Sequence, residues 1–157
     1  MKENDKQIER QSAEPNPDLK SLKKLVGTWK VSGGINGTNT FEWTENGFFL
    51  VQRFDFERDG HLIKGIEIIG HEKNFCGDES AEIKTRVYSF TDGMTLDYVY
   101  EMDERGSGEL TIWMEKKGSD GFMKGAFSDD GNTLNIEWFY PGGGYTASAT
   151  RIKRAMH

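Results

Sequence analysis

An all-β domain of about ten short antiparallel strands, folded as a sandwich or barrel behind one short N-terminal helix, is predicted by three features of the sequence. Turn signals recur at short intervals from Val26 onward, too closely for crossover helices. Between them, apolar and polar residues alternate with the period of a half-buried strand. Aromatic residues make up 12 % of the chain while all hydrophobic residues reach only 35 %. That balance suits strands that each bury one face better than it suits a helical bundle. The 157 residues suffice for one core and not for two.

Residues 1–17 read as a polar tail with Pro15 and Pro17 and no apolar period, expected to be disordered or loosely packed. The domain then occupies residues 18–157. Asp18 is expected to cap a helix running through Lys24, with Leu19, Leu22 and Leu25 on one side. The strands that follow are punctuated by Gly33-Gly34, Glu45-Asn46-Gly47, Asp59-Gly60, Asp92-Gly93, Gly118 to Gly121, Asp130-Gly131 and Pro141 to Gly144.

Three of these turns fix which side of the strands faces inward. A two-residue turn at Asp59-Gly60 sets Asp55 opposite Lys64, Phe54 opposite Gly65, Gln52 opposite Glu67 and Leu50 opposite Ile69. The same count at Asp92-Gly93 sets Lys84 opposite Glu101, with Val87, Thr85 and Ile83 facing Tyr98, Tyr100 and Met102. At Asp130-Gly131 it sets Lys124 opposite Glu137, with Phe127, Gly125 and Met123 facing Leu134, Ile136 and Trp138. Each register gathers charge on one face and apolar side chains on the other. A slip of one residue would turn every one of those lysines inward, so the agreement carries information about register although each exposed pair stabilises by at most about 1 kcal/mol. A three-residue loop with a glycine bulge would reverse the faces of a hairpin, and Asp129-Asp130-Gly131 is the place where it competes.

A net charge of −6, with lysine and arginine scattered among acids, leaves no basic face for nucleic acid. The polar opening M-K-E-N-D-K-Q lacks the apolar run of a secretory signal or a membrane span, so a cytoplasmic location and no membrane association are expected. Cys76 has no second cysteine to pair with, in keeping with a reducing compartment. His61 and His71 have neither a cysteine partner nor H-E-x-x-H spacing, and no metal site is expected.

The run Leu25-Val26-Gly27-Thr28-Trp29, a G-x-W entry after a short helix, resembles the first strand of lipocalins, fatty-acid-binding proteins and nitrobindins. F-E-W-T-E-N-G-F-F-L-V-Q-R, I-K-G-I-E-I-I-G-H, F-S-D-D-G-N-T-L and W-F-Y-P-G-G-G-Y-T-A-S-A-T-R extend the likeness to a bacterial branch of that calycin group, over about residues 17–154. The resemblance implies a closed or nearly closed up-and-down barrel with the helix over one end, an internal cavity, and Trp29 packed at the closed end. In nitrobindins a histidine near the chain end holds haem iron. The last strand here, residues 144–154, has none and His157 is terminal, so no cofactor is expected and haem is disfavoured. Fatty-acid-binding proteins hold a carboxylate with an arginine on the final strand, and Arg151 resembles it, although Lys153 stands where they usually carry tyrosine.

Gln52, Glu67 and His71 fall in phase on the inward side and form the one polar cluster of note. Burial would raise the pKa of Glu67 and allow it to donate to a ligand carbonyl. Otherwise the cluster is a hydrogen-bonded pair that stabilises the interior. Trp43, Phe54, Tyr98, Tyr100 and Trp138 supply apolar wall, with Arg151 in phase beside the small Ala147 and Ala149. Gly65 and Gly125 are expected to leave space beside aromatic neighbours, whereas a barrel of this size can also be filled by side chains. Three functions follow: a carrier or sensor of a small hydrophobic or amphipathic ligand; an isomerase, cyclase or hydrolase using Glu67 with His71 or Gln52; or an interaction module with a filled barrel, whose outer Trp113 and Phe139 bind a protein partner or a second copy in a homodimer.

Overall fold

The computed structural model describes residues 14–103 and 108–153. Residues 1–13 of the polar tail, and the chain end that carries Arg154 and His157, lie outside the described residues. Ten strands follow a 3₁₀ helix, Pro17–Leu25: β1 (Gly27–Gly33), β2 (Asn36–Trp43), β3 (Phe49–Arg58), β4 (His61–Gly70), β5 (Ile83–Ser89), β6 (Thr95–Met102), β7 (Glu109–Met114), β8 (Phe122–Phe127), β9 (Thr133–Tyr140) and β10 (Gly143–Lys153). Each strand pairs antiparallel with its sequence neighbours, and β1 pairs with β10 to close the barrel. The all-β up-and-down barrel of about ten strands is therefore observed.

The N-terminal helix differs from expectation in its type and its cap. Leucines three residues apart line up on a helix of three residues per turn, and Leu19, Leu22 and Leu25 are all buried. Asn16, not Asp18, is the cap, its side-chain oxygen accepting from the Asp18 amide at 3.0 Å. The Asp18 carboxylate is thereby free to reach His71 Nε2 at 2.7 Å, while His71 Nδ1 lies 2.6 Å from the Ser80 carbonyl oxygen. Burial alone would lower the pKa of His71, but these two partners outweigh it and hold it above the usual value. The pair fastens the helix to the loop between β4 and β5.

The Asp59-Gly60 turn has positive φ at both residues, 52° and 79°, as a tight hairpin requires, and the β3–β4 register is the predicted one throughout. So is the β8–β9 register, from Phe127↔Leu134 to Met123↔Trp138. There the Asp130 carboxylate accepts from the Asn132 amide at 2.9 Å and the Ser128 hydroxyl at 2.7 Å, which holds the turn without a face-reversing bulge. The β5–β6 hairpin requires correction. Its loop is longer, with the Ser89 amide bonded to the Met94 carbonyl at 2.9 Å and the Asp92 carboxylate accepting from the Met94 amide at 3.0 Å. Lys84 consequently sits opposite Val99, Thr85 opposite Tyr98 and Ile83 opposite Tyr100. The slip is an even number of residues, so inward residues stay inward.

Outside, Lys64 pairs with Asp55 at 3.7 Å, Arg86 with Asp97 at 2.8 Å, and Lys124 with Glu109 at 3.6 Å. The connections β2–β3, β4–β5, β6–β7 and β8–β9 lie at the helix end of the barrel, and the other turns surround the opposite mouth. At the helix end, buried Trp29 donates from Nε1 to the Leu25 carbonyl at 2.8 Å and tilts against Phe127. Arg151 lies 4.2 Å above the Trp29 ring and donates to the carbonyls of Val26, Lys24 and Gly131. This cluster seals one end, as the G-x-W resemblance implies.

Candidate functional site

The interior is hollow. A cavity of about 960 Å³ runs from Trp29 and Leu25 near the helix to the Asp59-Gly60 and β5–β6 turns at the mouth. Its wall is asymmetric. On the β7, β8, β9 and β10 side it is Ile112, Met123, Leu134, Ile136, Trp138, Ala147 and Ala149, with Tyr145 nearer the mouth. On the β2 to β6 side apolar Phe41, Phe54, Phe56, Ile63, Val87 and Leu96 are joined by Asn39, Gln52, Glu67, Tyr98 and Tyr100, so the polar groups gather on that side within a mostly apolar wall. At the mouth, Leu62 and Met94 leave about half of their surfaces in water, 59 % and 50 %, beside the polar His61 and Asp92.

The inward glycines do not create this space. A Cβ on Gly65 would stand 2.2 Å from the Tyr88 carbonyl oxygen and 2.7 Å from the Phe54 ring. Gly125 is likewise met by Leu134 and Met123. Both glycines permit close packing of their neighbours, so the expectation of vacant space beside them is corrected. Small Ala147 and Ala149 border the cavity instead.

Glu67 is the chemical centre of the wall. The tight Asp59-Gly60 turn fixes the β3–β4 register, and that register turns Glu67 inward opposite Gln52. Glu67 is 3 % exposed. Its Oε2 accepts from the Thr85 hydroxyl at 2.6 Å and its Oε1 from the Tyr100 hydroxyl at 2.7 Å. Burial pushes the carboxyl up to about 7, against the downward pull of the two hydroxyl donors. The same burial, together with the charge of Glu67, raises Tyr98 and Tyr100 well above an ordinary phenol. A carboxyl of this kind can accept a donor, neutralise a cation, or move a proton near neutral pH.

Six of the residues picked from the sequence border the cavity: Gln52, Phe54, Glu67, Tyr98, Tyr100 and Trp138. Three stand elsewhere. His71 is buried, but its ring is taken by Asp18 and Ser80 beyond the end of β4 rather than by Glu67. Trp43, paired with Leu50 at the helix end of β2, packs on the core without bordering the cavity. Arg151 does share the inward phase of Ala147 and Ala149, yet the chain runs past the cavity floor before reaching it, and its guanidinium is spent on the carbonyls around Trp29.

Sequence reading missed Asn39, Tyr145 and Arg58. The Arg58 guanidinium lies 4.3 Å from the Tyr145 ring and donates to the Tyr140 hydroxyl at 3.1 Å. Its phase with Gln52 and Phe54 on β3 could have placed it at the mouth. Asn39 carries no such signal, because the run around it is polar on both faces and its phase is set by pairing with β1 and β3. Thr85 was correctly turned inward, but its bond to Glu67 crosses between β4 and β5, whose long connection gives no register by counting.

Among the described residues no cluster of His, Cys, Asp or Glu is arranged to hold a metal ion, and no helix is long and apolar enough to cross a membrane. Cys76 is exposed. The sequence matches no protein-family model and no curated protein.

Proposed function

We propose that this barrel carries or senses a small hydrophobic or amphipathic ligand in its interior, as a member of a bacterial calycin branch working in the cytoplasm. The observation that supports the reading is the cavity of about 960 Å³, mostly apolar, with a polar group of side chains gathered around Glu67. Its size falls in the range of sites that enclose small molecules, and the polar groups around Glu67 give an amphipathic guest a place for its polar end. A haem is not part of this reading, nor is nucleic acid or a membrane. Native mass spectrometry of the protein taken from its own cells is expected to find a retained small molecule. A lipid and metabolite panel is expected to quench Trp138 saturably. Protein that emerges empty and shows no saturable response to the panel overturns the reading.

The poise of Glu67 favours a second reading, in which the same cavity turns over an apolar substrate with Glu67 as acid or base and Gln52 orienting it. His71 is dropped from that scheme because its ring is held by Asp18 and Ser80. On this reading Glu67→Gln abolishes turnover and leaves the fold intact, and equal turnover in the variant removes it.

The third class, a filled barrel acting through its outer surface, has a real row of side chains behind it. Val99, Trp113, Phe122 and Phe139 are direct cross-strand neighbours on the outer wall, with Phe122 and Phe139 stacked at 4.8 Å. Val99 is buried and the three aromatics are half-buried, and the hollow interior counts against a barrel kept only as a scaffold.

A further inference from the structure

We propose that the guest is a hydrophobic amine, held as its ammonium ion against Glu67 with its apolar body in the apolar remainder of the cavity. The proposal rests on the reading of the barrel as a carrier and names the chemistry of what it carries.

The carboxyl of Glu67 is short of donors. Glu67 presents two acceptor oxygens, and its own neighbours supply only the hydroxyls of Thr85 and Tyr100. Asn39 borders the same cavity, and its Oδ1 is buried with no hydrogen-bond partner among the described residues. Asn39 pairs with Phe54 across β2 and β3, one step toward the mouth from the Gln52–Glu67 row. A buried acceptor left without a donor is destabilising, so a donor from the guest that reached it would restore what the empty protein lacks. An ammonium group has three donors and no acceptor. A carboxylate or a ketone brings only acceptors and would leave Asn39 as it is.

Charge points the same way. Among the described residues, those bordering the cavity include Glu67 and, at the mouth, Asp92 and His61, but no lysine or arginine. The groups facing Glu67 are Gln52 from β3, Thr85 from β5, and Tyr98 and Tyr100 from β6, none of them cationic. Arg58 at the mouth is engaged by Tyr140 and the Tyr145 ring and does not border the cavity. A buried carboxylate without a countercharge is expensive, and a cation delivered by the guest removes that cost. The tilted pair Tyr98 and Trp138, 5.9 Å apart, offers ring faces that attract a cation and repel an anion.

The test uses the full chain and three straight-chain probes of equal length, decylamine, decanol and decanoate, titrated calorimetrically at about pH 8, where the amine is charged and Glu67 is largely ionised. Decylamine is expected to bind about tenfold or more tightly than decanol, and decanoate more weakly than both. In Glu67→Gln the preference for the amine over the alcohol should fall to about twofold or less while decanol binding persists. Should that variant fail to fold, the carboxyl carbon of isotopically labelled Glu67 in the wild type gives the same answer. Decylamine must hold its resonance at the ionised position near neutral pH, and decanol must not. Decanol or decanoate binding as tightly as decylamine overturns the amine and leaves the carrier standing. No binding of any of the three overturns both.

Discussion

Trp29→Ala is expected to cost about 4 kcal/mol of stability, the largest loss of any single truncation in the barrel, read as a lower urea midpoint. Trp29 is 1 % exposed at the helix end and joins three parts of the chain at once. Its ring packs on Phe127, its Nε1 satisfies the Leu25 carbonyl where the helix ends, and its face seats the Arg151 guanidinium 4.2 Å away. Alanine removes the packing, leaves the Leu25 carbonyl without its donor and opens a void under the helix, three losses that share a cause. Trp29→Phe separates them. It keeps an aromatic face for Arg151 and should cost about 1 to 2 kcal/mol, chiefly for the lost N–H donor and the smaller volume. A cost below about 1 kcal/mol for Trp29→Ala would mean that this end of the barrel is not held by the cluster around the indole.

Glu67→Gln is expected to change how stability depends on pH rather than simply to lower it. In the folded chain the carboxyl titrates at about 7, because burial disfavours its charged form, against an ordinary value of 4.5. Between these two pH values the unfolded chain has released the proton and the folded chain still holds it, so the unfolded state binds fewer protons and stability falls as pH rises. The loss is complete once the pH passes the folded value, and amounts to about 3 kcal/mol over the interval. Glutamine is neutral throughout and of nearly the same shape. Urea titrations at about pH 5 and about pH 8 should therefore show the wild type losing about 3 kcal/mol more than the variant between them, with the variant the more stable at the higher pH. Parallel pH profiles for the two proteins would show that the Glu67 proton is not linked to folding. The same arithmetic bears on the amine: a guest that supplies the missing positive charge near pH 8 should restore part of what ionisation removes.

Much of the barrel was legible because tight turns convert a dipeptide into a register. Asp59-Gly60 alone fixed ten cross-strand pairs and, through them, the inward aim of Gln52, Phe54 and Glu67. Where the turn was longer than its Asp-Gly signature suggested, the pairing moved, yet Thr85 and Tyr100 remained inside because the slip was even. Residues at the helix end escaped this logic. His71 and Arg151 each lie in phase with cavity residues, but phase says only which side of a sheet a side chain takes, not how far along the barrel the hollow extends. Their distance from the cavity depends on where the helix plugs the barrel, and that in turn depends on contacts such as Asp18 with His71 that no local pattern announces. The Asn39 acceptor was hidden for a related reason: whether a polar atom is left unpaired depends on neighbours from distant parts of the chain.

The closure of β1 against β10, from Thr28↔Lys153 to Gly33↔Ala147, has a consequence for how the protein is made. A nascent chain that has emerged only as far as Tyr140 has one raw strand border on β1 and another on β9, each with main-chain amides and carbonyls awaiting a partner. Both are satisfied together when residues 143–153 leave the ribosome, so protection from sticking to other nascent chains arrives late and in one step.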